Sequence, residues 1–220
     1  MIKLSKRLEK ISSLVPNNSK VIDIGCDHGL LDIYLFENKI STKIIASDIN
    51  ENALNNAKQN IKKNKLEEYI ETRLGNGLDT LSEDDDIDTV IISGMGTHTI
   101  IDILKNNYYK LRKIKNIIIQ SNTKIELLRK EVLKLNYFIE DEIMVKDNKK
   151  IYTIIKFSKG YKRYTKKELY LGPILMKKNT DLFMYYKKNE LEKLSHLLKT
   201  MPRNKIIEII KIKKKISMYK

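Results

Sequence analysis

Val21-Ile22-Asp23-Ile24-Gly25-Cys26-Asp27-His28-Gly29 is the stretch that decides the fold. An apolar run, Val21 to Ile24, stops at a glycine turn, and a helical pattern starts at once, over His28 to Asn38. Strand, glycine turn and helix in that order form the ligand-holding junction of doubly wound α/β domains. Backbone amides at the helix start face the ligand, and glycine lets the main chain come close. Asp23, Asp27 and His28 crowd the turn with polar side chains. Carboxylates there repel a bare pyrophosphate and suit a ligand that carries hydroxyls, an amine or a positive charge.

On the amino-terminal side, Leu4, Leu8, Ile11 and Leu14 recur at helical spacing and predict an amphipathic helix that ends before Pro16. Downstream, strand and helix patterns alternate. Lys43 to Ser47 reads as a strand, Asn50 to Lys63 as a helix with Leu54, Ala57 and Ile61 on one side, and Tyr69 to Leu74 as a third strand closing in Gly75-Asn76-Gly77. Ile87 to Ser93 and Ile114 to Gln120 read as strands, with helices over Thr97 to Leu104 and Ile125 to Leu135. Such alternation predicts a mostly parallel sheet with helices on both faces. Tyr137 to Val145 and Lys150 to Phe157 flank the turn signal Asp147-Asn148, so the sheet is expected to end in an antiparallel hairpin.

After Gly160 the strand signals stop. Thr165-Lys166-Lys167-Glu168 is a capping-box pattern, and Gly172-Pro173 breaks or kinks the helix it begins. Leu182, Tyr185, Tyr186, Leu191, Leu194 and Leu198 form one apolar stripe; Ile206, Ile209, Ile210 and Ile216 form another beyond Met201-Pro202-Arg203. Two helices joined so briefly pack as an antiparallel hairpin. The expected organisation is a Rossmann-like α/β domain over 1-160 and a basic helical hairpin, coiled-coil-like, over 161-220. Of the net charge of +15, nearly all lies in the tail, where 17 Lys and Arg stand against 5 Asp and Glu. A surplus placed that way points to a polyanion-binding tail.

The totals exclude other classes. No run of about 18 or more apolar residues occurs, and the first residues lack a signal-peptide core, so the chain is expected to be cytoplasmic with no membrane contact. Cys26 is the single cysteine, which rules out an intrachain disulfide and a cysteine zinc cluster. The histidines, His28, His98 and His196, show no ligand spacing, and no metal is expected.

Several residues fall where chemistry is done in this architecture. Asp48 ends the second strand 25 residues after Asp23, where an acid grips ribose hydroxyls; the other reading is an N-cap for the next helix. Asn76 and Gly77 follow the third strand, where the amide suits an adenine amino group and a plain tight turn is the equal alternative. Ser93-Gly94-Met95-Gly96 ends the fourth strand with small residues for close approach, and Met95 either packs on a base or fills core. His28 and His98 fall at expected helix starts on the same edge. Arg7 is a surface ion-pair group or, if the first helix folds over the edge, a partner for a ligand carboxylate. The run Glu83-Asp84-Asp85-Asp86 reads as a solvated loop. S-adenosylmethionine, with a ribose, an adenine, an amine and a sulfonium, fits such a pocket.

These pieces together resemble the bacterial tRNA (adenine(22)-N1)-methyltransferases. The likeness rests on Arg7-Leu8, Asp23-Ile24-Gly25-Cys26-Asp27-His28-Gly29, Arg73-Leu74-Gly75-Asn76-Gly77-Leu78, Ser93-Gly94-Met95-Gly96 and Gln120-Ser121-Asn122, and it spans the whole chain. Asn76, where that family often has Asp, and Thr97, where many members have Gly, depart from the pattern. The resemblance implies a class I fold with a terminal hairpin, S-adenosyl-L-methionine as cofactor, and methylation of N1 of adenine 22 in the D-arm region of tRNA by a monomeric enzyme. It places Arg7, Asp23, Gly25, Cys26, Asp27, His28, Gly29, Asp48, Ile49, Asn76, Gly77, Ser93, Gly94 and Met95 at the cofactor. Asp27, His28 and Asn122 are placed at the chemistry, with the base near Gln120-Ser121-Asn122 and Tyr137 or another aromatic stacking on it. Three other readings stay open: a methyltransferase acting on another RNA, on a small molecule or on a protein. A fourth is a non-catalytic RNA-binding protein that retains the cofactor fold.

Overall fold

The computed structural model describes residues 2–219, in two compact units, the first ending at Lys162 and the second beginning at Arg163. The first unit opens with α1 (Lys6–Ser12), capped by Ser5 Oγ accepting from the Leu8 amide, and then alternates. Its elements are β1 (Ser19–Ile24), α2 (Leu30–Glu37), β2 (Ser41–Asp48), α3 (Glu51–Lys63), β3 (Ile70–Leu74), β4 (Thr89–Met95), α4 (Thr97–Asn106), β5 (Asn116–Ser121), α5 (Ile125–Leu133), β6 (Tyr137–Asp147) and β7 (Lys150–Lys159). The sheet order is β3-β2-β1-β4-β5-β7-β6. The first five strands are parallel, and β7 runs antiparallel to both β5 and β6. β1 and β5 have no exposed position, because helices cover both faces of a parallel sheet.

Local chemistry sets the element ends. Asp27 and Gly29 both adopt left-handed backbone, at φ 53° and 66°, so α2 starts at Leu30 and His28 belongs to the turn rather than to the helix. Asn50 caps α3, its Oδ1 accepting from the amides of Asn52 and Ala53 at 2.9 and 3.1 Å. Two 3-10 turns, Gly77–Thr80 and Tyr108–Arg112, escape the periodicity, since one turn carries no repeat to detect.

The acidic run is not a solvated loop throughout. Asp85 is buried against the Arg73 guanidinium and accepts the Ser82 amide at 2.7 Å, so Arg73 holds its carboxyl below the usual range. Asp86 pairs with Lys20. In β6 the register slips between Ile139 and Asp141, which turns Glu140 outward to Lys156 and carries Glu142 into the core, where it meets Arg129 of α5 at 2.7 Å.

The second unit holds α6 (Lys166–Leu171), α7 (Pro173–Lys178), α8 (Asp181–Thr200) and α9 (Ile206–Tyr219). Thr165 and Glu168 form the reciprocal capping box, and Pro173 occupies the first turn of α7. α8 packs on α9 across the connection 201–205. The expected stripes need correction. In α8 Phe183 is the buried anchor and Tyr185 is exposed; in α9 Ile212 and Tyr219 are buried, whereas Ile206 and Ile210 face solvent. Apolar residues fall on more than one face of each helix, and packing chooses between them.

Candidate active site

The strand order reverses between β1 and β4, and the crevice outside their carboxyl ends is where an open α/β sheet binds ligands. A cavity of about 380 Å³ lies there. The turn after β1 supplies Gly25, Cys26, Asp27 and His28; β1 itself supplies Asp23, β2 Asp48, β4 Ser93, Gly94 and Met95, and α1 Arg7 and Leu8. β4 slips register between Ser93 and Met95, a bulge centred on Gly94. At Gly94, φ is +81° and an added Cβ would meet nothing within 4 Å, so the strand opens toward space a ligand can fill. Gly25 is the reverse case: at φ +78° any other residue would be strained, and its Cβ would displace the Met95 Cε that crosses the turn.

The cavity wall is acidic. Asp48 Oδ2 accepts the Asp27 amide at 3.2 Å and Oδ1 the Asn50 amide at 2.8 Å, which fixes the carboxylate across the turn while Asn50 takes the capping role. Asp23 is buried with Oδ1 unpaired among the described residues, and burial, followed by the Asp48 charge, raises its pKa to about 7. Behind it, Asp32 of α2 is fully buried, its carboxyl oxygens without a hydrogen-bond partner among the described residues; burial and then Asp23 push its pKa well up. Burial, with the charges of Asp32, Asp23 and Asp48, also pushes the Cys26 thiol far above the ordinary range. A thiol that stays protonated is a poor nucleophile. Maleimide or iodoacetamide at pH 8 should therefore label Cys26 at least about tenfold more slowly in the folded protein than in urea; equal rates would contradict this environment.

Opposite the acids, a hydrogen-bonded set ties α1 to the ends of β4 and β5. Arg7 Nη1 donates to Gln120 Oε1 at 2.8 Å and to Ser93 Oγ at 3.4 Å, and its guanidinium lies over the Tyr152 ring at 5.7 Å. Gln120 Oε1 also accepts the Gly94 amide at 3.1 Å. Gln120 Nε2 donates to Asn122 Oδ1 at 3.0 Å, and Asn122 Nδ2 to the Gly94 carbonyl at 2.7 Å. Thr97 explains its own departure from the pattern: buried, its hydroxyl bonds Ser121 Oγ at 2.9 Å and the Thr123 carbonyl, ties that glycine could not make.

Not every expected site residue gathers here. Gly29 packs against Ala57, 3.1 Å from where its Cβ would stand, and serves the contact between α2 and α3. Gly77 is pressed on Ile103 in the same way. Ile49 is 68% exposed and outside the cavity lining. Asn76 lines a separate space of about 300 Å³ with Asp79, Thr99 and Asp102 beside α4. Asn122 is exposed next to Gly94, reaching the site through that residue. His28 is exposed, Nε2 3.6 Å from Asp27 Oδ1, and His98 Nε2 lies 2.9 Å from Lys124 Nζ. Tyr137 cannot stack on a base: it is 1% exposed, and its hydroxyl donates to the Leu111 and Ile114 carbonyls at the amino end of β5. Sequence reasoning misses Asp32 altogether and gives Gln120 no role of its own. Asp32 reads as an ordinary first-turn acid, and Gln120 as the end of a buried strand.

The cavity suits a nucleoside carrying a cationic centre. Asp48 offers two held oxygens to vicinal hydroxyls, Asp23 a buried unpaired acceptor, Gly94 open space beside the main chain, and the acids together a negative wall. Fold and cavity together define a Rossmann-like methyltransferase domain, and the family model described as a methyltransferase domain matches residues 4–155. The Bacillus subtilis tRNA (adenine(22)-N(1))-methyltransferase is 29% identical over 197 residues, covering 87% of this chain and 82% of its relative. M. capricolum TrmK, solved with S-adenosyl-homocysteine, is 32% identical at a TM-score of 0.85, with 98% of this chain and 96% of that chain covered. Streptococcus pneumoniae Sp1610 in complex with S-adenosyl-L-methionine is 29% identical at a TM-score of 0.91, covering 99% and 98%. The chain belongs to the methyltransferase-domain family and, within it, to the tRNA (adenine(22)-N1)-methyltransferases.

Proposed function

We infer that this protein transfers a methyl group from S-adenosyl-L-methionine to N1 of adenine 22 in tRNA. The observation that carries the reading is the cavity at the strand-order reversal, walled by Asp23, Asp27 and Asp48 and opened by Gly94, in a chain whose Bacillus subtilis relative bears that activity in its name. When bound, the cofactor supplies a methyl group already activated by its sulfonium.

The protein's part is then to bind, orient and tolerate charge. Asp48 receives the ribose hydroxyls, and Asp23 accepts from the amine of the methionine end. Arg7, Gly25, Cys26, Ser93 and Met95 shape the rest of the wall. Adenine N1 is uncharged at neutral pH, so no general base has to remove a proton from it. The methylated base carries a positive charge, which the exposed Asp27 carboxylate, beside His28, offsets. N1 lies on the pairing edge, so the base enters unpaired or swung out of its stem. The basic helices α8 and α9 grip the backbone of the D-arm region through phosphates, and a monomer in the cytoplasm suffices for the reaction.

Incubating the protein with labelled S-adenosylmethionine and unmodified tRNA transcripts, then mapping the label, tests this. Label at N1 of adenine 22, lost when that base is replaced by guanine, is the expected result. Label at another atom or position would sink the assignment.

A further inference from the structure

The hydrogen bonds around Gln120 leave little freedom in how they are made, and they end at Asn122. Arg7 is a pure donor, as is the Gly94 amide, and both point at one atom of Gln120, which must therefore be its carbonyl oxygen. The amide nitrogen of Gln120 then faces Asn122, which must present its own oxygen in return, at 3.0 Å. That turns the Asn122 nitrogen to the Gly94 carbonyl, at 2.7 Å. Gln120 is 0% exposed, so solvent offers it no other partners. Asn122 is exposed. After these bonds its amide retains one lone pair on Oδ1 and one hydrogen on Nδ2.

An amide that keeps one acceptor and one donor has the complement of the N6 amino group and N7 of adenine. Reading that edge leaves N1 uncovered, as methylation there requires. Guanine shows acceptors at both places, so the same amide would face a mismatch.

We propose that Asn122 reads the N6–N7 edge of the target adenine and that Gln120, held by Arg7, is the positioning residue that sets which way the Asn122 amide points. This rests on the adenine-methylating reading of the site. Ser93 and Gly94 line the cofactor cavity and belong to the same hydrogen-bonded set, so the base-reading amide and the methyl source share one support.

The test uses full-length protein and tRNA carrying either adenine or 7-deazaadenine at position 22, which removes N7 and leaves N1 intact. Wild-type kcat/KM should fall on the 7-deaza tRNA by about 5- to 150-fold, the range for losing one good base contact. Asn122→Ala should be slow on both tRNAs and show no further 7-deaza penalty. Gln120→Glu keeps the acceptor that Arg7 and the Gly94 amide share but turns the donor that orients Asn122 into a second acceptor; it should also lose the penalty, with cofactor Kd within about twofold of wild type. That pattern separates positioning from mere structural support. Equal wild-type rates on the two tRNAs, or a full 7-deaza penalty persisting in Asn122→Ala, would overturn the proposal. If wild-type protein methylates neither tRNA while binding cofactor, the parent reading fails and this one falls with it.

Discussion

Asp23→Asn is expected to raise the thermal midpoint of the cofactor-free protein by several degrees at pH 8, to leave it nearly unchanged near pH 4, and to weaken cofactor binding at least about tenfold. Burial and the Asp48 charge raise the folded-state pKa of Asp23 to about 7, whereas an unfolded aspartate releases its proton near 3.9. Between those values the folded chain holds the extra proton, so stability falls as pH rises through the window, and the loss is complete above about 7. Asparagine has nothing to ionise and escapes that loss. It also removes the negative charge from a buried acceptor, Asp23 Oδ1, which has no hydrogen-bond partner among the described residues. Charge-assisted hydrogen bonds contribute about 1.5–3 kcal/mol, hence the size of the affinity loss. Melting curves at the two pH values and calorimetry at pH 8 measure both effects. An equal midpoint shift at pH 4 and pH 8 would show that the carboxyl charge is not the cause.

Breaking the Arg129–Glu142 pair should have the largest effect on stability. The two side chains are 2% and 0% exposed and meet at 2.7 Å, so removing either strips the other of a close opposite charge in the core. Arg129→Met or Glu142→Leu alone should cost about 3–5 kcal/mol, roughly 6–20 °C in midpoint for a domain of this size. The double variant should regain most of that loss, because with both charges gone neither is buried without its close opposite. Urea titration of the three variants gives the comparison. A double variant as unstable as the sum of the singles would mean the site needs those side chains for shape rather than for mutual charge.

Legibility differs from residue to residue. Asp48, Gly25 and Gly94 are visible in the sequence because their positions follow from strand ends, and strand ends follow from apolar runs that stop at glycine. Asp32 is invisible there, since an acid in the first turn of a helix is the commonest of surface residues, and only the packing of α2 shows that it is sealed beneath Asp23. Glu142 is hidden by the bulge at Glu140, which reverses the inside and outside of β6 partway along. Tyr137 looks available to a base and is instead locked to two carbonyls at the far end of the sheet. In α9, Ile206, Ile209, Ile210 and Ile212 allow several apolar faces, and packing against α8 and α6 selects among them.

The sequence by itself determined the alternation of strands and helices, the glycine turn after β1, the acid at the end of β2, and the basic character of the last helices. Each is written in short-range spacing, which backbone geometry turns into structure without reference to the rest of the chain. Only the tertiary structure decided that Arg7 reaches Gln120 across 113 residues, that Gln120 in turn bonds Asn122, and that Asp23, Asp32 and Asp48 act on one another's charge. Those depend on strand register and on the seating of α1, and a partner far along the chain leaves no mark in the local pattern of either residue.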